Sequence, residues 1–335
     1  IAEFVDYKSA NQIVAQIVKW GFGYFNIEQQ RWVTFPDGME NGARATLLEM
    51  ERSRAIAALV KLIESSEDES ISWQAAYNLG KIDPSNPTAI ATLLKLIESS
   101  EDEFNLRRTA ESLGKIDPGN PAAIATLVQL IESTNNESSR WQAAYSLGEI
   151  GNGNQTAITR LVQLIESSQD QLTSRLAAYS LGKIGKDNPI AITGLVQLIE
   201  STQDETTRGQ AGESLGKIDC GNPIAIATLI QLIESTEDDD IRRQAADSLG
   251  KIDPDNPTAI ATLMKLIEST EDDDIRRKTA ESLAKLDPSN QIAIAILVKL
   301  IESTEDEEIR RKVVDSLGKF TPSNPTAIAA LVKFI

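Results

Sequence analysis

The chain has 335 residues, of which 41% are hydrophobic, with a net charge of −17 and no histidine. That hydrophobic fraction supports a continuous core and excludes global disorder, while the negative charge disfavours nucleic acid and anionic membrane surfaces as ligands. The single cysteine, Cys220, excludes an internal disulfide framework and predicts a reducing, cytoplasmic setting.

The first 50 residues differ from the rest of the chain because they are rich in aromatic residues. Residues 9–20 show helical periodicity, residues 30–35 are expected to be extended, and residues 36–38 (Pro-Asp-Gly) predict a turn. We interpret residues 1–50 as an N-terminal cap of the following array, or as the tail of an upstream domain. The chain starts without Met and stops within a helical pattern, so we expect a fragment of a longer protein.

Residues 51–335 repeat with a period of 34. The leucines that mark the first half of each repeat are Leu62, Leu96, Leu130, Leu164, Leu198, Leu232, Leu266 and Leu300. Identical spacing predicts that every unit stacks on its neighbour in the same way. We therefore predict an all-α fold, a right-handed αα-solenoid with eight helix pairs and a ninth first helix.

Residues 86–118 illustrate one repeat. Asn86 is expected to cap the first helix with Pro87 at its first position, and an acidic turn is expected to open the second helix. The acidic runs 237–240, 271–274 and 305–308 are interpreted in the same way, since they lack the spacing of a calcium loop. The glycine that follows the second-helix leucine predicts a close contact between helices.

The second-helix sequence at residues 238–252 has an acidic turn, a β-branched residue, arginine, two small residues and Leu-Gly. This pattern resembles HEAT-like repeats of the phycobilisome-lyase type. Tetratricopeptide repeats share the period but require an aromatic residue in the first helix, which the complete repeats lack. Residues 7–15, running into the repeats, resemble the C-terminal repeat region of bacterial NACHT-type signalling NTPases. That resemblance implies a sensing role.

Two second-helix positions, six and two residues before the second-helix leucine, change from copy to copy and lie four residues apart on one helix face. Four of the eight copies hold an arginine and an acid there, which predicts ordinary salt bridges: Arg107–Glu111, Arg243–Asp247, Arg277–Glu281 and Arg311–Asp315. Two copies hold aromatic pairs, which predict either packing onto neighbouring repeats or a partner-binding patch on the concave face. The candidate residues of that patch are Trp73, Tyr77, Arg107, Arg140, Trp141, Tyr145, Arg175 and Tyr179.

We interpret the chain as a non-catalytic protein-binding scaffold or sensor array, within a larger signalling protein, that binds another protein or peptide. No cofactor or metal is expected, and no acid–base constellation is visible in a chain without histidine. Two alternatives stay open. One is a bilin lyase subunit or chaperone-like partner of phycobiliproteins, as the resemblance implies. The other is nucleic-acid binding through a basic strip at Arg107, Arg108, Arg140 and Arg175.

Overall fold

The computed structural model describes residues 7–26, 31–33, 37–49, 52–253, 256–286, 291–304, 306–320, 328 and 332. In these residues 18 helices and one two-stranded sheet occur, confirming the predicted all-α solenoid, whose right-handed sense stays a prediction. The chain divides into two compact units, Ile1–Arg160 and Leu161–Ile335. The predicted ninth first helix lies outside the described residues except for residues 328 and 332, which are helical.

The N-terminal stretch forms α1 (Tyr7–Phe22), β1 (Tyr24–Asn26), β2 (Arg31–Val33) and α2 (Asp37–Glu49). The strands are antiparallel, and α1 packs against α2 and α3. The helix predicted over 9–20 is confirmed, and so is extended backbone over 31–33; residues 30 and 34–36 lie outside the described residues. The turn predicted at 36–38 is wrong at residues 37 and 38, which open α2. Aspartate favours a helix start, and the first-turn amides need no helical acceptor, so glycine is tolerated there.

The helix pairs follow in chain order. In the first unit they are α3 (Arg52–Ser65) and α4 (Glu69–Ile82), α5 (Pro87–Ser99) and α6 (Glu103–Ile116), and α7 (Pro121–Ser133) and α8 (Glu137–Ile150). Then come α9 (Gln155–Ser167) and α10 (Gln171–Ile184), α11 (Pro189–Ser201) and α12 (Glu205–Ile218), and α13 (Pro223–Ser235) and α14 (Asp239–Ile252). The last two pairs are α15 (Pro257–Ser269) and α16 (Asp273–Leu286), and α17 (Gln291–Ser303) and α18 (Glu307–Phe320). The boundary between residues 1–50 and 51–335 stays a prediction.

Asparagine caps begin the first helices, as predicted. The Asn86 side-chain oxygen accepts hydrogen bonds from the amides of Thr88 (3.0 Å) and Ala89 (3.3 Å), and Pro87 stands at the first helical position. The Asn86 amide group also donates to Asp83 at 2.7 Å, which joins the end of α4 to the start of α5. The same cap occurs at Asn120 and Asn222.

The acidic turns are helix caps, which also confirms the prediction. The Asp238 carboxylate accepts hydrogen bonds from the amides of Asp240 (2.8 Å) and Ile241 (3.0 Å) at the start of α14. Asp272 and Asp306 cap α16 and α18 in the same way. Negative charge at these positions also complements the helix dipole.

The glycine after the second-helix leucine allows successive second helices to approach closely. A Cβ atom added to Gly80 would lie 2.4 Å from Cγ2 of Ile116, and one on Gly114 would lie 2.4 Å from Cδ1 of Ile150. Neighbouring alanines such as Ala75 and Ala76 are fully buried between the helices. The close-contact interpretation is therefore confirmed.

Candidate functional site

Trp73 and Tyr77 form a stacked aromatic pair on α4. Their ring centroids are 5.5 Å apart and their planes differ by 6°. Both side chains are half-buried, so neither belongs to the fully buried core that includes Leu79. The spacing of four residues brings the rings together on one face, as the sequence predicts.

An arginine from the next second helix covers the tryptophan. The guanidinium carbon of Arg108 on α6 lies 3.3 Å from the centroid of the Trp73 ring, within cation–π range. Burial, and then the positive charge of Arg107, lower the pKa of Arg108. Trp73 Nε1 is buried without a hydrogen-bond partner among the described residues, and a small cavity of 60 Å³ lies beside the ring.

Phe104 extends this cluster on α6, and sequence reasoning missed it. Its side chain is 55% exposed, and the guanidinium carbons of Arg107 and Arg108 lie 5.5 and 6.0 Å from its ring centroid. The sequence signal is present: in the other copies this helix position holds Ser, Thr, Leu or an acid. We call Trp73, Tyr77, Phe104, Arg107 and Arg108 the α4–α6 cluster.

Arg107 is satisfied by contacts within the protein. Its Nη1 atom lies 3.2 Å from Glu111 Oε2 and 3.3 Å from Ser146 Oγ of α8. Glu111 also accepts hydrogen bonds from Lys115 at 2.5 Å and from Ser146 at 2.8 Å. Burial by itself raises the pKa of Glu111, but these hydrogen bonds and the nearby cations outweigh it, so the pKa is lowered. Arg107 is therefore held by these contacts and presents only part of its surface.

The predicted salt bridges are confirmed in two copies, Arg107–Glu111 and Arg277–Glu281, the latter at 3.1 Å. Arg243 forms an ion pair with Asp240, three residues earlier, at 3.2 Å, and Lys251 contacts Asp247 at 2.7 Å. An arginine in mid-helix reaches acids in either direction, so spacing alone does not select the partner. The Arg311–Asp315 pair stays a prediction.

The α8 candidates differ in their surroundings. Arg140 donates to the carbonyl oxygen of Thr134 at 2.7 Å and contacts Glu137. The same contact to the end of a first helix recurs at Arg208, Arg242, Arg276 and Arg310. It therefore belongs to the architecture of the repeat. Trp141 is half-buried and Tyr145 is 39% exposed. Because α4 packs against α6 and α6 against α8, six candidates lie on three neighbouring second helices of the first unit.

The last two candidates, Arg175 and Tyr179, lie on α10 in the second unit, and both are half-buried. The ammonium groups of Lys183 and Lys217 lie 5.8 and 5.9 Å from the Tyr179 ring centroid. Arg175 lines an open cavity of 270 Å³. Continuity of the predicted patch from Tyr145 to Arg175 stays a prediction.

In the part of the chain that the structure describes, no three Cys, Asp or Glu residues converge in a way that would hold a metal ion. Cys220 is an exposed free thiol. Among the same residues, no helix combines the length and the apolar character that a bilayer crossing requires.

The sequence profile of HEAT repeats matches residues 43–114, 105–182, 135–216 and 192–284. A chain of a Kap121p mutant, known from a crystal structure, is similar at 12% identity and a TM-score of 0.47. The match covers 99% of the present chain and 42% of the Kap121p chain. A chain in a homology model of the full-length AP-3 complex in an intermediate open conformation is similar at 17% identity and a TM-score of 0.38. The match covers 99% of the present chain and 73% of the AP-3 chain. The chain thus spans less than half of the Kap121p chain. Among curated proteins, none matches.

Proposed function

Because this chain belongs to the HEAT-repeat family, we propose that it is a non-catalytic scaffold that binds another protein or peptide along α4, α6 and α8. The observation that carries the proposal is the Trp73–Tyr77 stack. It stands at positions where α6 and α16 hold the salt bridges Arg107–Glu111 and Arg277–Glu281. The repeat therefore also accommodates a charged pair there, so the scaffold does not require the aromatic pair.

The surroundings of the stack are those of a binding anchor. Tryptophan, tyrosine and arginine dominate the residues that carry most of the energy in protein interfaces. Phe104 and Tyr145 add exposed aromatic surface on the two following second helices. Their rigid rings bury a large area at a small cost in side-chain entropy, and the Tyr145 hydroxyl adds a polar group.

The experiment selects peptides from a display library against the wild-type chain and then measures their affinity for two variants. The first variant, Trp73→Arg with Tyr77→Glu, copies the α6 arrangement onto α4 and so preserves the repeat. The control, Glu308→Ala with Lys312→Ala, removes an exposed pair of α18 with a 2.8 Å contact. We expect the first variant to lose about 30-fold in affinity, as for a hot-spot residue worth about 2 kcal/mol, and the control to bind normally. Equal binding by all three proteins would refute the proposal.

The setting is proposed on the resemblance seen in the sequence. We propose that the array is the sensing part of a larger, cytoplasmic signalling protein of the NACHT type. The full-length reading frame tests this, because a nucleotide-binding module preceding the repeats is required. A bilin lyase is the competing assignment, and transfer of a bilin to an acceptor phycobiliprotein would establish it in place of the scaffold.

Nucleic-acid binding is the weaker alternative. Two arginines of the basic strip, Arg107 and Arg140, already bond to Glu111 and Glu137, which leaves less positive charge for phosphates. Arg108 stacks on Trp73. A salt-dependent gel shift with short single-stranded and duplex DNA tests this alternative, and we expect no shift at physiological salt.

A further inference from the structure

The second unit contains a cavity at Gly209, where α12 lacks the long side chain that the equivalent position of the other repeats carries. The cavity has a volume of 270 Å³ and is open to solvent. Leu232 and Ala245 contribute apolar surface, and Glu213 and Ser248 contribute polar groups. A Cβ on Gly209 would meet only the end of the flexible Leu232 side chain, at 3.1 Å. The backbone therefore has room for a larger residue.

The first unit shows what occupies the equivalent space. On α6, the guanidinium of Arg107 lies 3.2 Å from Glu111 and 3.3 Å from Ser146 of the next second helix. Lys115 binds the other oxygen of Glu111 at 2.5 Å. One carboxylate and one hydroxyl thus accept from the arginine, while a lysine shares the carboxylate.

Three repeats later the same acceptors are present without the arginine. Glu213 corresponds to Glu111, Ser248 to Ser146 and Lys217 to Lys115, whereas Gly209 stands in the place of Arg107. Lys217 contacts Glu213 at 2.8 Å, as Lys115 contacts Glu111. Both Glu213 and Ser248 line the cavity. The cavity therefore offers the acceptors of the Arg107 site but lacks the arginine at the equivalent position, 209.

We propose that the Gly209 cavity binds the guanidinium of an arginine side chain supplied by a partner. The net charge of −17 favours approach of a basic segment. Arg175 also lines the cavity, but arginines tolerate each other at this spacing: Arg243 and Arg277 hold the same position on α14 and α16, which pack together. The claim that a partner protein supplies the arginine rests on the proposed scaffold function. The affinity of the cavity for a guanidinium group is independent of that function.

The test uses ethylguanidinium as a probe of the site, with ethylammonium and acetate at equal ionic strength as comparisons. Binding is followed by NMR chemical shifts, with the stoichiometry from calorimetry. We expect one site in the wild-type chain and none in Gly209→Arg, whose new side chain reaches Glu213 and fills the space. Arg107→Ala is the matched positive control, because it opens the equivalent cavity on α6 and is expected to give a second site.

The outcomes separate the possibilities. If Gly209→Arg fails to fold, Glu213→Gln serves in its place and is expected to weaken ethylguanidinium binding at least tenfold. Binding of acetate in place of ethylguanidinium would overturn the proposal and identify Arg175 as the dominant group. If ethylguanidinium binds the Arg107→Ala variant but not the wild-type chain, the proposal is overturned as well. Because the probe needs no partner, equal peptide binding by the wild-type chain and the α4 variant would refute the scaffold proposal and still leave this result intact.

Discussion

The guanidinium carbon of Arg108 lies 3.3 Å from the centre of the Trp73 ring and so joins α6 to α4 at the candidate site. Tyr77 stacks on the same indole with a centroid distance of 5.5 Å. Trp73 therefore contributes both to the contact between neighbouring second helices and to the surface offered to a partner. Stability measurements on Trp73 and Arg108 variants report the first contribution, and peptide binding reports the second.

Replacing Trp73 by Ala should lower the free energy of unfolding by about 1–2 kcal/mol, because the contacts with Arg108 and Tyr77 are lost. Arg108→Ala should cost less, about 0.5–1 kcal/mol, and should change the tryptophan fluorescence because water reaches the ring. Urea denaturation measures both changes. A loss of more than about 4 kcal/mol for Trp73→Ala would identify the ring as essential core and contradict its role as an accessible anchor.

The close approach of second helices at glycine gives a second prediction. Gly80→Ala should lower the free energy of unfolding by about 1–3 kcal/mol, because its Cβ would lie 2.4 Å from Ile116. Gly42→Ala is the control, since an added Cβ on this α2 residue meets nothing within 4 Å. It should stabilise the protein by about 0.5–1 kcal/mol through helix propensity. Equal effects at the two positions would argue against the close contact.

Buried and exposed ion pairs should differ in their energetic importance. The side chain of Arg277 is 9% exposed and contacts Asp274 at 2.8 Å and Glu281 at 3.1 Å. Arg277→Ala removes the arginine that contacts Glu281 and leaves Asp274 to its 2.8 Å contact with Lys278, so it should cost about 1–3 kcal/mol. Lys312→Ala, in an exposed pair, should change stability by less than about 0.5 kcal/mol. Thermal unfolding of the two variants makes the comparison, and a larger loss for Lys312→Ala would contradict it.

Asp274 predicts a dependence of stability on pH. Burial opposes ionisation, but hydrogen bonds from Lys278 and Arg277 prevail and lower the pKa from 3.8 to about 2. Because the folded-state pKa lies below the unfolded value, the stabilisation by ionised Asp274 is present above about pH 4. It is lost as pH falls towards 2. The stability difference between wild type and Asp274→Asn should therefore shrink over this window, as followed by denaturant titrations. A stability difference that stays constant over this pH range would show that protonation of Asp274 is not coupled to folding.

The 34-residue period allowed the positions of the helices to be predicted from the sequence, because each repeat contains its own helix start and stop signals. Asn86 and Pro87 mark the start of α5 and the acids before Phe104 mark the start of α6, and the helices begin there. The turn expected at residues 37 and 38 was wrong because Asp-Gly is compatible with both a turn and a helix start. Contacts between copies were harder to predict. The position of Arg108 over Trp73 depends on helix packing and on rotamers, which a single repeat does not specify.

Side-chain oxidation by hydroxyl radicals tests the central claim most directly. With and without a peptide selected against the wild-type chain, the oxidation rates of Trp73, Tyr77, Trp141 and Tyr145 are compared with that of Met39. Met39 is 48% exposed on α2, in the N-terminal stretch that precedes the repeats. We predict that bound peptide slows oxidation of the four aromatic side chains severalfold and leaves Met39 unchanged. Unchanged rates at all four aromatics under saturating peptide would contradict the scaffold account.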